Sequence, residues 1–140
     1  KRAVAREQAF ILVFEKSFND ADIAELIGYA AENCGWETDE FREKLAEDTL
    51  SHLDAIDPVI EKYCIGWKKE RISKVSLSIM RVACNEIMFM PDIPVRVSIN
   101  EAVELAKTYG GDDAPGFVNG VLGAVYKKKA ESDNECVSGD

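Results

Sequence analysis

The sequence predicts an all-α protein, a single compact domain of about seven helices within 140 residues. Three observations predict this fold class. Apolar residues recur three and four positions apart along most of the chain, as they do on the buried face of a helix. Capping residues, Pro and Gly separate these segments. No segment alternates apolar and polar residues for long enough to form a strand, because 95–99 is short and follows a proline.

The N-terminal part of the chain contains three predicted helices with short polar links. The first, 3–16, carries an apolar face that includes Phe10 and ends where the polar segment 17–20 begins. Asp and Thr side chains accept hydrogen bonds from the free N–H groups at a helix start, which locates the next two starts. The candidate caps are Asp20 or Asp22 for the second helix, which closes near 33–35, and Thr38 or Asp39 for the third.

The fourth helix is predicted to be short. Asp57 followed by Pro58 is typical of a helix start, because Asp caps the helix and Pro suits its first position, and the helix ends near Tyr63. The joint 54–58 predicts that the domain is divided into two sub-bundles. The polar residues from Glu131 onward predict a disordered tail. The expected ranges are 1–130 for the domain, about 1–55 and 56–130 for the sub-bundles, and 131–140 for the tail.

Caps and helix breakers also predict the last three helices. The fifth, 73–90, begins at Ser73 and is apolar nearly all round, so we expect it to be central and buried. Ser98 and Glu101 have the spacing of a capping box and predict the start of the sixth helix. The remaining bounds are Tyr109 for the end of the sixth helix, and Pro115 and about Lys129 for the seventh.

Three glycines interrupt the predicted seventh helix, at positions 116, 120 and 123. Glycine within a helix costs about 1 kcal/mol, so its presence needs a reason. A closely packed neighbouring helix would supply one, and a close approach by the backbone of another molecule would supply a second. We favour the packed helix.

Composition and residue spacing exclude several classes of function. The longest apolar run, 9–14, is far shorter than the roughly 20 residues of a membrane-spanning helix, and we find no signal peptide at the start of the sequence. The cysteines form no C-x-x-C pair, which is typical of a reducing environment, so we expect a cytoplasmic protein. The four cysteines are widely spaced, and the single histidine, His52, has no local partner pattern, so we expect no metal site. Because catalytic and cofactor-binding motifs are also missing, we expect neither an enzyme nor a cofactor.

The charges are unevenly distributed. The formal net charge is −9, from 17 Lys and Arg against 26 Asp and Glu, yet segments 1–16 and 58–90 are both net positive. Within the second segment, Trp67 lies among several cations, and aromatic rings beside cations bind single-stranded nucleic acid. The alternative is that Trp67 anchors the junction between the helix groups and the cations form a solvated surface. The candidate RNA-binding cations here are Lys68, Arg71 and Lys74.

Several blocks of residues occur in the order typical of a known family. The last two blocks are the most specific, and together the blocks cover about residues 2–126. On these residues the chain resembles the NusB antitermination family. The blocks are Arg6-Glu7-Gln8-Ala9; Trp67 with Arg71-Ile72-Ser73-Lys74-Val75; Ile79-Met80-Arg81-Val82-Ala83 with Glu86; Ile93-Pro94-Val95; Ile99-Asn100-Glu101-Ala102-Val103-Glu104-Leu105-Ala106-Lys107; and Phe117-Val118-Asn119-Gly120-Val121-Leu122.

The resemblance implies an all-α fold of two packed three-helix bundles and a role in transcription. It implies binding of the boxA element of single-stranded RNA in nascent ribosomal transcripts. It also implies a complex with NusE, a ribosomal small-subunit protein that doubles as a transcription factor. That complex joins RNA polymerase and other Nus factors to suppress premature termination.

The resemblance also implies site residues. The family's arginine-rich start maps to Lys1, Arg2 and Arg6, its aromatic residue on the first helix to Phe14, and its loop before the last helix to Asp113 and Phe117. The chain departs from the family at three places. Ala3 and Val4 replace basic residues, Ser76 and Leu77 replace an acidic–basic pair at the partner contact, and Pro115-Gly116 replaces a more polar pair.

Two other functions are compatible with the same residues. A similar helical domain can bind RNA within a ribosomal RNA methyltransferase, although the chain does not include the catalytic domain. A helical adaptor between proteins, without RNA binding, would also show the same core pattern.

Overall fold

The computed structural model describes residues 2–64 and 72–138, and the side chains up to residue 131. Seven α-helices and no strand occur in these described parts, which confirms the predicted fold class. None of these helices is long and apolar enough to cross a membrane. The helices are α1 (Arg2–Lys16), α2 (Ile23–Asn33), α3 (Glu40–Ser51), α4 (Leu53–Tyr63), α5 (Lys74–Phe89), α6 (Val95–Tyr109) and α7 (Ala114–Ser138).

Helix α5 is the centre of the fold. It packs against α1, α3, α4, α6 and α7, and nearly every residue from Ser76 to Ile87 is buried. The prediction of a central helix is therefore confirmed, and Cys84 lies in the core as a small apolar residue. Its burial raises the pKa of the Cys84 thiol to about 12, since the thiolate would lose its hydration there.

Two predicted caps are confirmed in atomic detail. The Asp39 carboxylate accepts a hydrogen bond from the Arg42 N–H at 3.0 Å, and the Ser73 hydroxyl accepts one from the Ser76 N–H at 3.1 Å. Each bond satisfies a backbone donor that has no partner within its helix. These caps fix where α3 and α5 begin, and Ser73 thereby also fixes the position of Lys74 beside it.

The predicted start of the fourth helix is wrong. Helix α4 begins at Leu53, so Pro58 lies inside it. The Asp57 carboxylate does not cap the helix. It accepts two hydrogen bonds from the Arg81 guanidinium, both at 2.8 Å. Ile56 and Ile60 are one turn apart and fully buried, so packing holds the turn before the proline in a helix. The break between α3 and α4 lies instead at His52.

The sixth and seventh helices also differ from their predicted bounds. Helix α6 begins at Val95, three residues before the predicted cap at Ser98. Ser98 does not cap the helix, because it is buried and its hydroxyl donates to the Glu86 carboxylate at 3.0 Å. Helix α7 continues to Ser138, through the segment that we expected to be a disordered tail from residue 131. Between Gly123 and Gly139 the sequence contains neither Gly nor Pro to stop a helix.

Candidate nucleic-acid interface

The basic start of α1 separates into two different environments. Arg2 is exposed, and its guanidinium carbon lies 4.4 Å from the centre of the Phe41 ring, so the cation is held against an aromatic face on α3. Lys1 lies outside the described residues. Arg2 is therefore the described cation of this segment that a phosphate could reach.

Arg6 is buried and is not part of the surface. The residue is 5% exposed, and its Nε lies 3.0 Å from both carboxylate oxygens of Glu86 on α5. Ser98 of α6 donates to the same carboxylate. Burial raises the pKa of Glu86 above its ordinary value, while Arg6 and Ser98 favour its charged form and partly offset this rise. Arg6 thus ties α1 to α5 and α6, and the predicted contact of Arg6 with RNA is not compatible with its position.

The C-terminal end of α1 presents aromatic rings to the surface. Phe14 is half-buried, and its ring centre lies 5.0 Å from that of Phe18, which is 63% exposed in the turn after the helix. The Lys74 ammonium lies 4.9 Å from the centre of the Phe18 ring. The structure therefore brings the predicted residues Phe14 and Lys74 together through a ring that the sequence analysis did not select. The spacing of Phe10, Phe14 and Phe18 at four residues was the signal for it.

A second group forms around the loop between α6 and α7. Phe117 is half-buried and Asp113 is exposed, and the Asp113 carbonyl accepts the Phe117 N–H at 3.1 Å. Both line a cleft of about 320 Å³ that also includes Ser73, the neighbour of Lys74. The aromatic end of α1 and the loop before Phe117 are therefore connected through the start of α5.

A close approach at Gly110 shapes this loop. A Cβ atom at this position would lie 2.5 Å from the Ala114 Cβ and 2.9 Å from the Ala106 carbonyl oxygen. Contacts of that kind leave no room for a side chain, so the turn that leads to Phe117 requires glycine. The glycines inside α7 behave differently. A Cβ at Gly116, Gly120 or Gly123 would meet nothing within 4 Å, so the close helix packing expected there is wrong.

The two residues predicted to contact a protein partner are not surface residues. Leu77 is 7% exposed and belongs to the apolar core, and Ser76 is 5% exposed. Ser76 nevertheless lines the cleft beside Phe117, so a partner could reach it there. The sequence pattern located the start of α5 correctly but did not reveal which side of it faces inward.

Besides Lys1, three predicted or considered residues lie outside the described residues, namely Trp67, Lys68 and Arg71. His52 is described and is held by its neighbours. Its ring stacks on Phe89 with centres 3.9 Å apart, and its Nδ1 lies 2.8 Å from the Asn85 Oδ1. Among the described residues, no group of three or more His, Cys, Asp or Glu side chains has the arrangement to hold a metal ion.

Another cleft adjoins the same aromatic residues. It lies between the end of α1 and α2, has a volume of about 510 Å³, and includes Phe14, Phe18 and Tyr29 among its lining residues. Tyr29 is 65% exposed. The sequence analysis assigned Tyr29 no role, because a single tyrosine between Gly28 and Ala30 on a helix belongs to no motif that marks it as a binding residue.

The rings and cations at the two ends of α1 and at the starts of α5 and α7 can hold unpaired nucleotides. A base can stack on an exposed ring, and an ammonium or guanidinium group beside it can neutralise the adjoining phosphate. The described residues that offer such groups are Arg2, Phe14, Phe18, Lys74 and Phe117.

Comparisons with known proteins show what this sequence and fold are similar to. The sequence model of the NusB family matches residues 3–127. The transcription antitermination protein NusB of Natranaerobius thermophilus is 45% identical, with 89% of this chain and 93% of the relative covered. The NusB protein of Bacillus subtilis is 43% identical over 87% of this chain and 92% of the relative. The crystal structure of antitermination factors NusB and NusE with double-stranded RNA includes a chain that matches with a TM-score of 0.82, 28% identity, and coverage of 91% and 96%.

Proposed function

The chain belongs to the NusB family, and we propose that it is a transcription antitermination factor that binds boxA-type single-stranded RNA together with NusE. The observation that carries the proposal is the match to the NusB family over residues 3–127. The fold of this chain is also similar to that of a chain crystallised with NusE and RNA. In this role the protein joins a complex with RNA polymerase in the cytoplasm and suppresses premature termination. It acts by binding and has no catalytic activity.

The proposed RNA surface consists of the exposed groups at the start and end of α1 and those around the start of α5. Phe14 and Phe117 stack on unpaired bases, and Arg2 and Lys74 neutralise phosphates. Asp113 lies at the edge of this surface, where its charge repels phosphate and lowers the affinity. Further phosphate contacts are proposed from the sequence alone: Lys1 from the family resemblance, and Lys68 and Arg71 from the cations around Trp67. Arg6 acts indirectly, because its ion pair with Glu86 holds α1 in place.

The preference for unpaired RNA follows from the side chains. A ring can stack on a base only where that base is not already stacked within a duplex, so the exposed rings favour a single strand. The charge has a second consequence. Because the whole chain carries a net charge of −9, few of its surfaces attract RNA indiscriminately, and binding by this chain alone is modest. NusE supplies the additional affinity.

A mobility shift with boxA RNA, with and without NusE, at two salt concentrations tests the proposal. We expect weak binding by the chain alone, tighter binding with NusE, and a clear preference over a scrambled RNA and over a duplex of the same sequence. Raising the salt concentration weakens binding, and the logarithm of the binding constant falls against the logarithm of the salt concentration with a slope of about −0.7 for each phosphate neutralised. Tight binding to NusE without preference for boxA would contradict the proposal and favour a protein adaptor.

A substitution in the loop before α7 provides a second test. Phe117→Ala removes a half-buried ring, so we expect RNA affinity to fall about 5- to 100-fold, the range of base–aromatic stacking, while the chain stays folded. Circular dichroism and thermal unfolding check the fold. If the variant unfolds, Phe117 serves the core, and its assignment to the RNA surface is wrong.

A further inference from the structure

The cleft between the end of α1 and α2 has the composition of a site for one nucleobase. Its apolar lining comes from Phe14, Phe18, Ala21 and Leu26, and Tyr29 of α2 also lines it. Phe18 and Tyr29 are 63% and 65% exposed, so both rings meet solvent in the free protein. The cleft volume of about 510 Å³ falls within the roughly 300–1,000 Å³ typical of sites that hold small ligands.

One amide, that of Asn19, and two carboxylates line the cleft, and a cation lies beside it. Lys74 lies at one side, with its ammonium 4.9 Å from the Phe18 ring centre, and can pair with a phosphate. Glu15 of α1 and Glu25 of α2 also line the cleft, and both are exposed. A carboxylate accepts hydrogen bonds and donates none, so these two groups attract the N–H edge of a base and repel a carbonyl edge.

We propose that this cleft binds one unpaired guanine base of the RNA, stacked against Phe18 and Tyr29, with its N–H edge on a cleft carboxylate and its phosphate at Lys74. Guanine fits because its N1–H and N2 amino group are adjacent donors, which a carboxylate accepts together. The inference rests on the proposed function and extends it, because it adds residues of α2 to the RNA-binding surface next to Phe14.

Continuity with the proposed RNA surface supports a nucleotide as the occupant. Phe14 lines this cleft and Lys74 contacts one of its rings, and both already belong to that surface. Lys74 follows Ser73, which lines the cleft beside Phe117. A strand that passes from Phe117 to Phe14 therefore meets Lys74 on the way and can place its next base in this cleft.

Variants of Tyr29 test the stacking contact without disturbing the core. In the presence of NusE, Tyr29→Ala is expected to weaken boxA binding about 5- to 100-fold, whereas Tyr29→Phe, which keeps the ring, binds as the parent does. Tyr126→Ala is the matched control. It removes a tyrosine that is 47% exposed on α7, in a different cleft, and leaves RNA affinity unchanged.

An abasic scan identifies the nucleotide that occupies the cleft. BoxA RNAs that lack one base at a time are titrated against the parent chain and against Tyr29→Ala. We expect one guanine position at which removal of the base weakens RNA binding to the parent chain but does not weaken RNA binding to Tyr29→Ala any further. Inosine at that position lacks the N2 amino group and lowers affinity about tenfold for the parent, but not for the variant that combines Glu15→Gln and Glu25→Gln.

The outcomes separate the two proposals. If the parent binds boxA and Tyr29→Ala binds equally well, the cleft assignment is overturned while the proposed function stands. Coupling to a base other than guanine overturns the role of the carboxylates. If Tyr29→Ala weakens binding to NusE in the absence of RNA, the cleft belongs to the protein partner, and the assignment is also overturned. A parent chain that fails to bind boxA, even with NusE, overturns the proposed function itself.

Discussion

Residues 6, 10, 14 and 18 lie four positions apart along α1 and the turn after it, yet the two ends of this row have opposite surroundings. Arg6 and Phe10 are buried, Phe14 is half-buried, and Phe18 is 63% exposed. Each step of four residues rotates about 40° around the helix, so the row moves gradually from the core toward solvent. A charged residue thus occupies the interior and a phenylalanine the surface, because their place on the helix decides burial more than their type does.

The largest expected effect lies at the buried end of this row. Arg6→Ala leaves the Glu86 carboxylate buried without its cation, so we expect the free energy of unfolding to fall by about 3–5 kcal/mol. Urea denaturation measures this loss. Glu104→Gln is the control, because Glu104 forms an exposed pair with Lys107 and contributes below about 1 kcal/mol.

The same variant also tests whether Arg6 contacts RNA. Measured under conditions in which Arg6→Ala is folded, the salt slope of RNA binding should equal that of the parent. A flatter slope, with little loss of stability, would place Arg6 on the RNA surface and break the contrast between the two ends.

Substitution of Phe14, in the middle of the row, should lower both stability and RNA affinity, each by a smaller amount. Phe14 packs against the core and also contacts Phe18, so Phe14→Ala should lower the free energy of unfolding by about 1–2 kcal/mol and weaken RNA binding at least about fivefold. Denaturation and RNA titration on the same preparation compare the two losses. Unchanged RNA affinity would assign Phe14 to the core alone.

At the exposed end we expect a change in salt dependence and little change in stability. Lys74→Gln removes an exposed cation beside Phe18, so the slope of log affinity against log salt should become smaller in magnitude by about 0.7. Unfolding should shift by no more than about 0.5 kcal/mol. RNA titrations at four salt concentrations measure the slope, and Lys107→Gln on α6 is the matched control with an unchanged slope.

The smallest expected effect is a pH dependence at the buried end. Burial raises the pKa of Glu86 above its ordinary value of 4.5, so the folded state retains a proton at pH values where the unfolded state has released it. This contribution to stability is fully present below the ordinary pKa and is lost as the pH rises through the folded value. Relative to Glu86→Gln, the parent should therefore lose stability as the pH is raised from about 4 to 7. Parallel pH profiles of the two would contradict this.

Several parts of the fold could be predicted from the sequence because their signals are local. Asp39 and Ser73 cap their helices through bonds to residues three positions away, and the apolar circumference of 74–89 predicts a central helix. Phe18 belongs to the same class, since its spacing from Phe10 and Phe14 is visible without the structure.

Other predictions failed because distant residues compete for the same groups. Ser98 has the spacing of a helix cap, but its hydroxyl bonds to Glu86, twelve residues earlier in the chain. Asp57 precedes a proline, but its carboxylate bonds to Arg81 of α5. In both cases a contact between helices replaced the local one. Local patterns give the groups that can pair but not the partners that packing brings within reach.

The sequence by itself determined the helical class, the central position of α5 and the family, because these depend on the periodicity of apolar residues and on ordered motifs. The tertiary structure decided which residues of those motifs can meet RNA. It buried Arg6 against Glu86, 80 residues away, and it placed Tyr29 of α2 in one cleft with Phe14 and Phe18. The physical reason is that burial and ion pairing depend on how helices pack together, and that packing joins residues too far apart in the chain for any local pattern to show.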